Sequence, residues 1–446
     1  MLRAPIVLKM DHLYDFSSQK ARLSRRKEGA QAGEPTLPPR NAIQAAEASL
    51  PDPSSAMYLS GMSQEDTVKH IVDDIVPGLN GQALSSRYYG FVTGGTLPIA
   101  EWADNVVSRA DQNAAVHLPD QTVATAVEDA ALKMAILAKK LGSGESVGEL
   151  GLLEACVRAG VTGVQVLTCA GHSSLSKAAS VVGLGRRAVK ELGVSAAEPW
   201  RLDVEALERE LRAPGVVSVI SVSAGEVNTG RHAVSGVQEM KRVRELADRY
   251  GAWLHVDGAF GIFSRALDGR SEYRTIRERC AGVELADSIT VDAHKLLNVP
   301  YDCGMFFTRS HKTLEAVFMN PNAAYLAALP AYAVLLSEGR PGIAGLLSNM
   351  TELSRQAARF VQQSEHYELL PDENIDEVFM IVLFRAKDKK LNDELVSKIN
   401  ATRKIYVSPT SWNGEKAVRI AVSTWMVDVS RDMEVIASVL TEVAGQ

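Results

Sequence analysis

Asp257 ends the run Trp253-Leu254-His255-Val256, and Lys295 ends Asp292-Ala293-His294, which follows the run Ser288-Ile289-Thr290-Val291. Each short apolar run reads as a buried parallel strand delivering polar groups to its C-terminal end. A carboxylate at one strand end and a primary amine at another have a definite chemical use. The acid can keep a pyridine nitrogen protonated, and the amine can condense with an aldehyde. Pyridoxal phosphate is the cofactor that needs both. Taken alone, an Asp after a strand caps a turn and a Lys faces solvent.

Positioning such a pair takes a sheet. Between about 161 and 310 the sequence alternates β-rich runs with amphipathic stretches. Strands are predicted at 164–168, 216–221, 252–256, 288–291 and 304–308, with helices over 204–211 and 234–249 between them. That alternation implies a parallel α/β sheet covered by helices, with ligands beyond the strand C-termini. Upstream, Ser63 with Glu65 and Asp66 reads as a helix start, and a second helix is predicted over 122–140. Downstream, a helical stretch over 326–365 precedes a smaller α+β lobe with strands near 379–384 and 418–423. Residues 15–55 are polar and proline-bearing and read as a loosely packed arm.

The 446 residues, 46% hydrophobic and 23% charged, describe an ordinary globular chain with room for a large core. A net charge of −6 disfavours nucleic acid or an anionic membrane as partner. No run reaches the roughly 18 to 20 apolar residues of a bilayer span. The first ten residues lack a secretory pattern, so a cytoplasmic location is expected. Cys156, Cys169, Cys280 and Cys303 form no CxxC pair and read as reduced packing residues, and no metal is implied.

Between about 87 and 428 a series of motifs recurs in order. They are residues 88–95 (YYGFVTGG), 111–113 (DQN), 127–129 (VED), 171–177 (GHSSLSK), 225–230 (GEVNTG), 255–261 (HVDGAFG), 292–295 (DAHK) and 419–423 (RIAVS). Together they resemble the group II pyridoxal phosphate-dependent amino-acid decarboxylases, the family of aromatic-amino-acid and glutamate decarboxylases. The resemblance implies fold type I: a large, mostly parallel mixed sheet flanked by helices, with a small C-terminal α+β domain. The expected division is an N-terminal arm and helix (1–84), a cofactor-binding domain (85–340) and the small domain (341–446), assembled as a homodimer.

For individual residues the resemblance implies that Lys295 bonds the cofactor aldehyde and Asp257 pairs with its ring nitrogen. His172 would stack on the ring, and Ala259 would pack on its other face. His294 and Asp292 would lie near the phosphate or the lysine, and Thr229 beside the cofactor. Phe91 and Thr93 would line the substrate pocket. Two segments are shorter than in the family. The phosphate loop has only residues 141–146 as a candidate, with Ser143 and Gly144 as backbone donors; Glu145 and Glu149 would repel a phosphate there. The mobile loop after Lys295 is also abbreviated, and Tyr325 resembles a family tyrosine preceding that loop. Either the gene is mis-spliced or the chemistry has diverged.

The activity implied is decarboxylation of an L-amino acid to its amine, with an aromatic substrate favoured by the apolar pocket near Phe91. The alternatives are an aldehyde-forming or transamination-like enzyme lacking the lid's proton donor, and a catalytically impaired regulatory paralogue.

Overall fold

The computed structural model describes residues 36–52, 54–55, 62–80, 85–110, 122–135, 152–309 and 329–445. Two sheets organise them. The larger joins β2 (Gly163–Thr168), β3 (Val189–Glu191), β4 (Val216–Ser223), β5 (Trp253–Asp257), β6 (Ser288–Asp292) and β7 (Gly304–Thr308). Its order is β3-β2-β4-β5-β6-β7, parallel throughout except for β7, which returns antiparallel along β6. All five strands expected in this region therefore form, within two residues of their predicted limits. β3 was not foreseen, being three residues long with little apolar content.

Periodicity explains the covering helices. In Val204–Leu211 the buried residues Val204, Leu207 and Leu211 recur along one face, and Asp203 caps the start by accepting from the N–H groups of Glu205 and Ala206. Val237–Tyr250 buries Met240, Val243, Leu246 and Ala247 in the same way. These residues share one core with Ile220, Val222, Leu254 and Val256 of the sheet. Fully burying each such side chain contributes about 1.5–3 kcal/mol.

The second sheet has the order β1-β10-β11-β9-β8, built from β1 (Tyr88–Tyr89), β8 (Tyr367–Leu370), β9 (Ile381–Ala386), β10 (Tyr406–Trp412) and β11 (Glu415–Ala421). β1 pairs parallel with β10 and the remaining pairs are antiparallel. Residues 88–89 thus hydrogen-bond to the C-terminal lobe, a long-range pairing that no local pattern announces. The helix Leu329–Gln363 links the two regions and kinks where Gly339 takes φ 55°, a conformation that costs glycine little. The arm expected over 15–55 contains a helix, Arg40–Ala48, and Thr36 is buried with its N–H donating to the Arg403 carbonyl. Part of that arm is therefore held against the body by backbone bonding, which composition does not record. Ser63 caps the helix Gln64–Lys69 as expected. The helix predicted over 122–140 is observed at Ala124–Ala135, and residues 136–140 lie outside the described residues. None of the described helices is long and apolar enough to cross a membrane.

Arg355, buried in the long helix, donates to the carbonyls of Val378 (3.0 Å), Glu272 (2.8 Å) and Asp376 (2.9 Å). Removing it leaves three acceptors facing an apolar void. We expect Arg355→Ala to lose about 3 kcal/mol or more of stability in urea titrations. A loss below about 1 kcal/mol would show that water replaces the guanidinium at little cost.

Candidate active site

Parallel pairing aligns Ser223 on β4 with Asp257 on β5, and Asp257 with Thr290 on β6. The strand exits are stitched together just beyond. The Ala224 N–H donates to the Asp257 carbonyl at 2.8 Å, Gly258 N–H to the Thr290 carbonyl at 2.9 Å, and Asp292 N–H to the Ala259 carbonyl at 3.1 Å. Asp257 is half-buried, and its side chain accepts from the Ala259 N–H at 3.2 Å. Lys295 stands on the single helical turn Ala293–Leu296 that leaves β6. Its Nζ lies 2.9 Å from Asp292 Oδ2 and 5.7 Å from the centre of the Phe260 ring. The amine and the Asp257 carboxylate thus come from neighbouring strands at one edge of the sheet, as expected.

His294 sits next to this pair. Its Nδ1 lies 3.1 Å from the Cys303 nitrogen and 3.2 Å from the Cys303 carbonyl oxygen, and its Nε2 is 3.9 Å from Asp292 Oδ2. Burial pushes its imidazole below the usual range, so it is neutral near pH 7. Asp292, expected near the phosphate or the lysine, holds the lysine. His172 follows β2, caps the helix Ser173–Val181 and accepts from the Ser174 N–H. It is exposed, and its Nδ1 lies 2.7 Å from the Ser174 hydroxyl. Ala259 is half-buried after β5.

Thr229 is buried, and both its N–H and its hydroxyl donate to Glu226, as does the Asn228 N–H. The loop at the β4 exit is therefore organised around a buried carboxylate that sequence reading passed over. Burial pushes the Glu226 carboxyl up, while its hydrogen bonds and Arg419 pull it down. Arg419 is itself buried in β11, donates to the Val227 carbonyl at 2.9 Å, and keeps an unpartnered Nε. A charge inside the apolar run 417–422 was the available signal. Phe91 is exposed at φ 60° with its N–H on Ser408 Oγ, and Thr93 is partly buried nearby in sequence. Ser143, Gly144 and Tyr325 lie outside the described residues.

The donor set fits pyridoxal phosphate. A primary amine that could hold the aldehyde, a carboxylate that could hold the ring nitrogen and an exposed imidazole stand at the exits of strands β6, β5 and β2, on the C-terminal edge of one sheet. Comparison with known proteins agrees. Residues 114–334 match the pyridoxal-dependent decarboxylase conserved domain. That stretch belongs to the pyridoxal-dependent decarboxylase family. It is 26% identical over 307 residues to L-2,4-diaminobutyrate decarboxylase of Acinetobacter baumannii, covering 61% of this chain and 56% of that protein. It is 25% identical over 283 residues to the aromatic-L-amino-acid decarboxylase of Bos taurus, covering 58% and 55%. The matched region thus spans about half the length of these curated relatives. Tryptophan decarboxylase of Catharanthus roseus shares the fold, with a TM-score of 0.76, 17% identity, and coverage of 99% of this chain and 100% of that one.

Behind the β4 loop, burial pushes the His232 imidazole down to about 4 from 6.5. Between these values the unfolded chain holds a proton that the folded chain refuses. This contribution to stability is therefore complete above about pH 6.5 and shrinks as the pH falls towards about 4. Glu226, shifted upward, acts in the opposite sense, so the difference between two proteins is the informative quantity. We expect His232→Asn to flatten the acid limb of the stability curve by as much as about 3 kcal/mol. Urea unfolding between about pH 7 and about pH 4.5 measures it, and identical slopes in both proteins would refute the assignment.

Proposed function

We propose that the protein is a pyridoxal phosphate-dependent decarboxylase that converts an L-amino acid to its amine with release of carbon dioxide. The observation carrying this reading is the placement of Asp257 and Lys295 on the adjoining exits of β5 and β6. When bound, the cofactor would supply an electron-poor ring that accepts the electron pair freed as the Cα–carboxylate bond breaks. Lys295 would hold the cofactor aldehyde through its amine. Asp257 would keep a proton on the ring nitrogen, which maintains the ring's pull on electrons. Asp292 retains the Lys295 amine at 2.9 Å, and the Phe260 ring shields it from water on one side. His172 would lie flat on the ring, and Ala259 leaves space for it on the opposite face. Thr229 would act through the Glu226-centred loop. Phe91 and Thr93 would border the substrate and favour an apolar, aromatic side chain.

The expected result is carbon dioxide and amine in equal amounts from a carboxyl-labelled amino acid, tested across aromatic amino acids, L-aspartate and L-2,4-diaminobutyrate. Lys295→Ala should abolish both release and borohydride-trapped cofactor. Asp257→Asn should retain trapping while slowing release by about 10² or more. Full activity in Lys295→Ala would sink the reading, and aldehyde in place of amine would assign the oxidative or transaminating alternative.

A homodimer belongs to the same reading. Val68, Val72 and Leu79, between 56% and 61% exposed, give residues 62–80 an apolar character that a second copy would cover. Cytoplasmic residence is supported by four unpaired cysteines, two of them buried. In sedimentation, the intact chain should run as a dimer and Val72→Glu should shift it towards monomer. A monomeric intact chain at micromolar concentration would remove this part of the proposal.

A further inference from the structure

The turn that carries Lys295 is too short to orient itself. Ala293–Leu296 is four residues long, well below the length at which a helix holds its own shape. Its first N–H groups are satisfied from outside, with Ala293 donating to the Cys303 carbonyl at 2.8 Å. Its other end leaves carbonyls without helical partners. Asn298 supplies the bond. It is fully buried at φ 53°, a conformation that asparagine tolerates better than most residues.

Asn298 makes four contacts to three separate parts of the chain. Its Nδ2 donates to the Lys295 carbonyl at 3.0 Å and to the Ser423 carbonyl at 3.0 Å. Its Oδ1 accepts from the Trp425 N–H at 2.6 Å, and its backbone carbonyl accepts from Leu97 N–H at 2.6 Å. Two carbonyls face the amide nitrogen and one N–H faces its oxygen, so the network fixes the orientation of the amide. The same junction holds Gly94 so tightly that a Cβ there would lie 2.1 Å from the Ser423 carbonyl oxygen. Trp425 closes it by donating from Nε1 to the Thr96 carbonyl at 3.0 Å.

We propose that Asn298 is a positioning residue that aims the Lys295 amine, by fastening its turn to segment 94–97 and to the exit of β11. The inference rests on Lys295 being the cofactor lysine. Asparagine meets the chemical demand: aspartate has no donors for the two carbonyls, and alanine has neither donor nor acceptor. A reacting group must be held within about 0.5 Å of its productive position, and a one-turn helix freed at one end does not meet that tolerance.

The test uses the full chain mixed with pyridoxal phosphate. Borohydride quenching and peptide mass give the rate of labelling at Lys295. Visible circular dichroism of the bound cofactor reports its orientation, and urea unfolding reports stability. Asn298→Gly keeps the backbone conformation and deletes the clasp. Asn298→Asp keeps the shape and the bond from Trp425 but loses both donors. Asn400→Ala is the control, because Asn400 makes a similar clamp on Val407 (3.1 and 2.8 Å) in a helix that does not carry Lys295. We expect both Asn298 variants to label about tenfold more slowly or worse, with altered dichroism. Asn400→Ala should label at the parental rate despite its own loss of stability. A folded Asn298→Gly, or Asn298→Asp if the glycine variant does not fold, that labels at the parental rate with unchanged dichroism overturns the inference. Absence of labelling at Lys295 in the parent chain would instead overturn the cofactor reading, and this inference with it.

Discussion

Parallel pairing of β5 with β6 is the constraint on which the site depends. In a parallel sheet every strand discharges its last residues at the same edge, so Asp257 and Lys295 emerge side by side there although they stand 38 positions apart in sequence. The backbone bonds from Ala224, Gly258 and Asp292 across the strand exits extend this alignment into the loops. A slip of one residue would turn Asp257 to the opposite face of the sheet.

Charges around this edge are arranged to be satisfied locally. Lys295 is matched by Asp292 at hydrogen-bond distance, and Glu226 accepts hydrogen bonds from Thr229 and Asn228 of its own loop with the Arg419 charge of β11 nearby. An ion pair with 19% and 30% of its side chains exposed is only partly desolvated, so it can open when a ligand offers a better partner. Deeper groups such as Arg355 and Arg231 are tied to carbonyls and carboxylates and fix the lobes relative to the sheet. The site thus combines a stiff scaffold with one ion pair that can exchange partners.

The resemblance to decarboxylases of differing substrates fits this division of labour. Relatives at about 25% identity include proteins named for diaminobutyrate and for aromatic amino acids, while the fold is shared across the whole chain. The parallel sheet and its exits are common property.

The sequence by itself determined the strands of the large sheet, their covering helices and the placement of Asp257 and Lys295 at neighbouring strand exits. Those features are written in local periodicity: short apolar runs followed by a polar residue, and buried faces recurring every three to four positions. Tertiary structure alone decided that residues 88–89 pair with the C-terminal lobe, that Thr36 of the apparent arm is buried against Arg403, and that Glu226 and Asn298 are buried organisers. Asn298 shows why. An asparagine in a turn is unremarkable in sequence, and its role arises only when Ser423, Trp425 and Leu97, distant along the chain, present their backbone groups to it beside that of the neighbouring Lys295. Hydrogen-bond partners of that kind are chosen by packing in three dimensions, which periodicity does not encode.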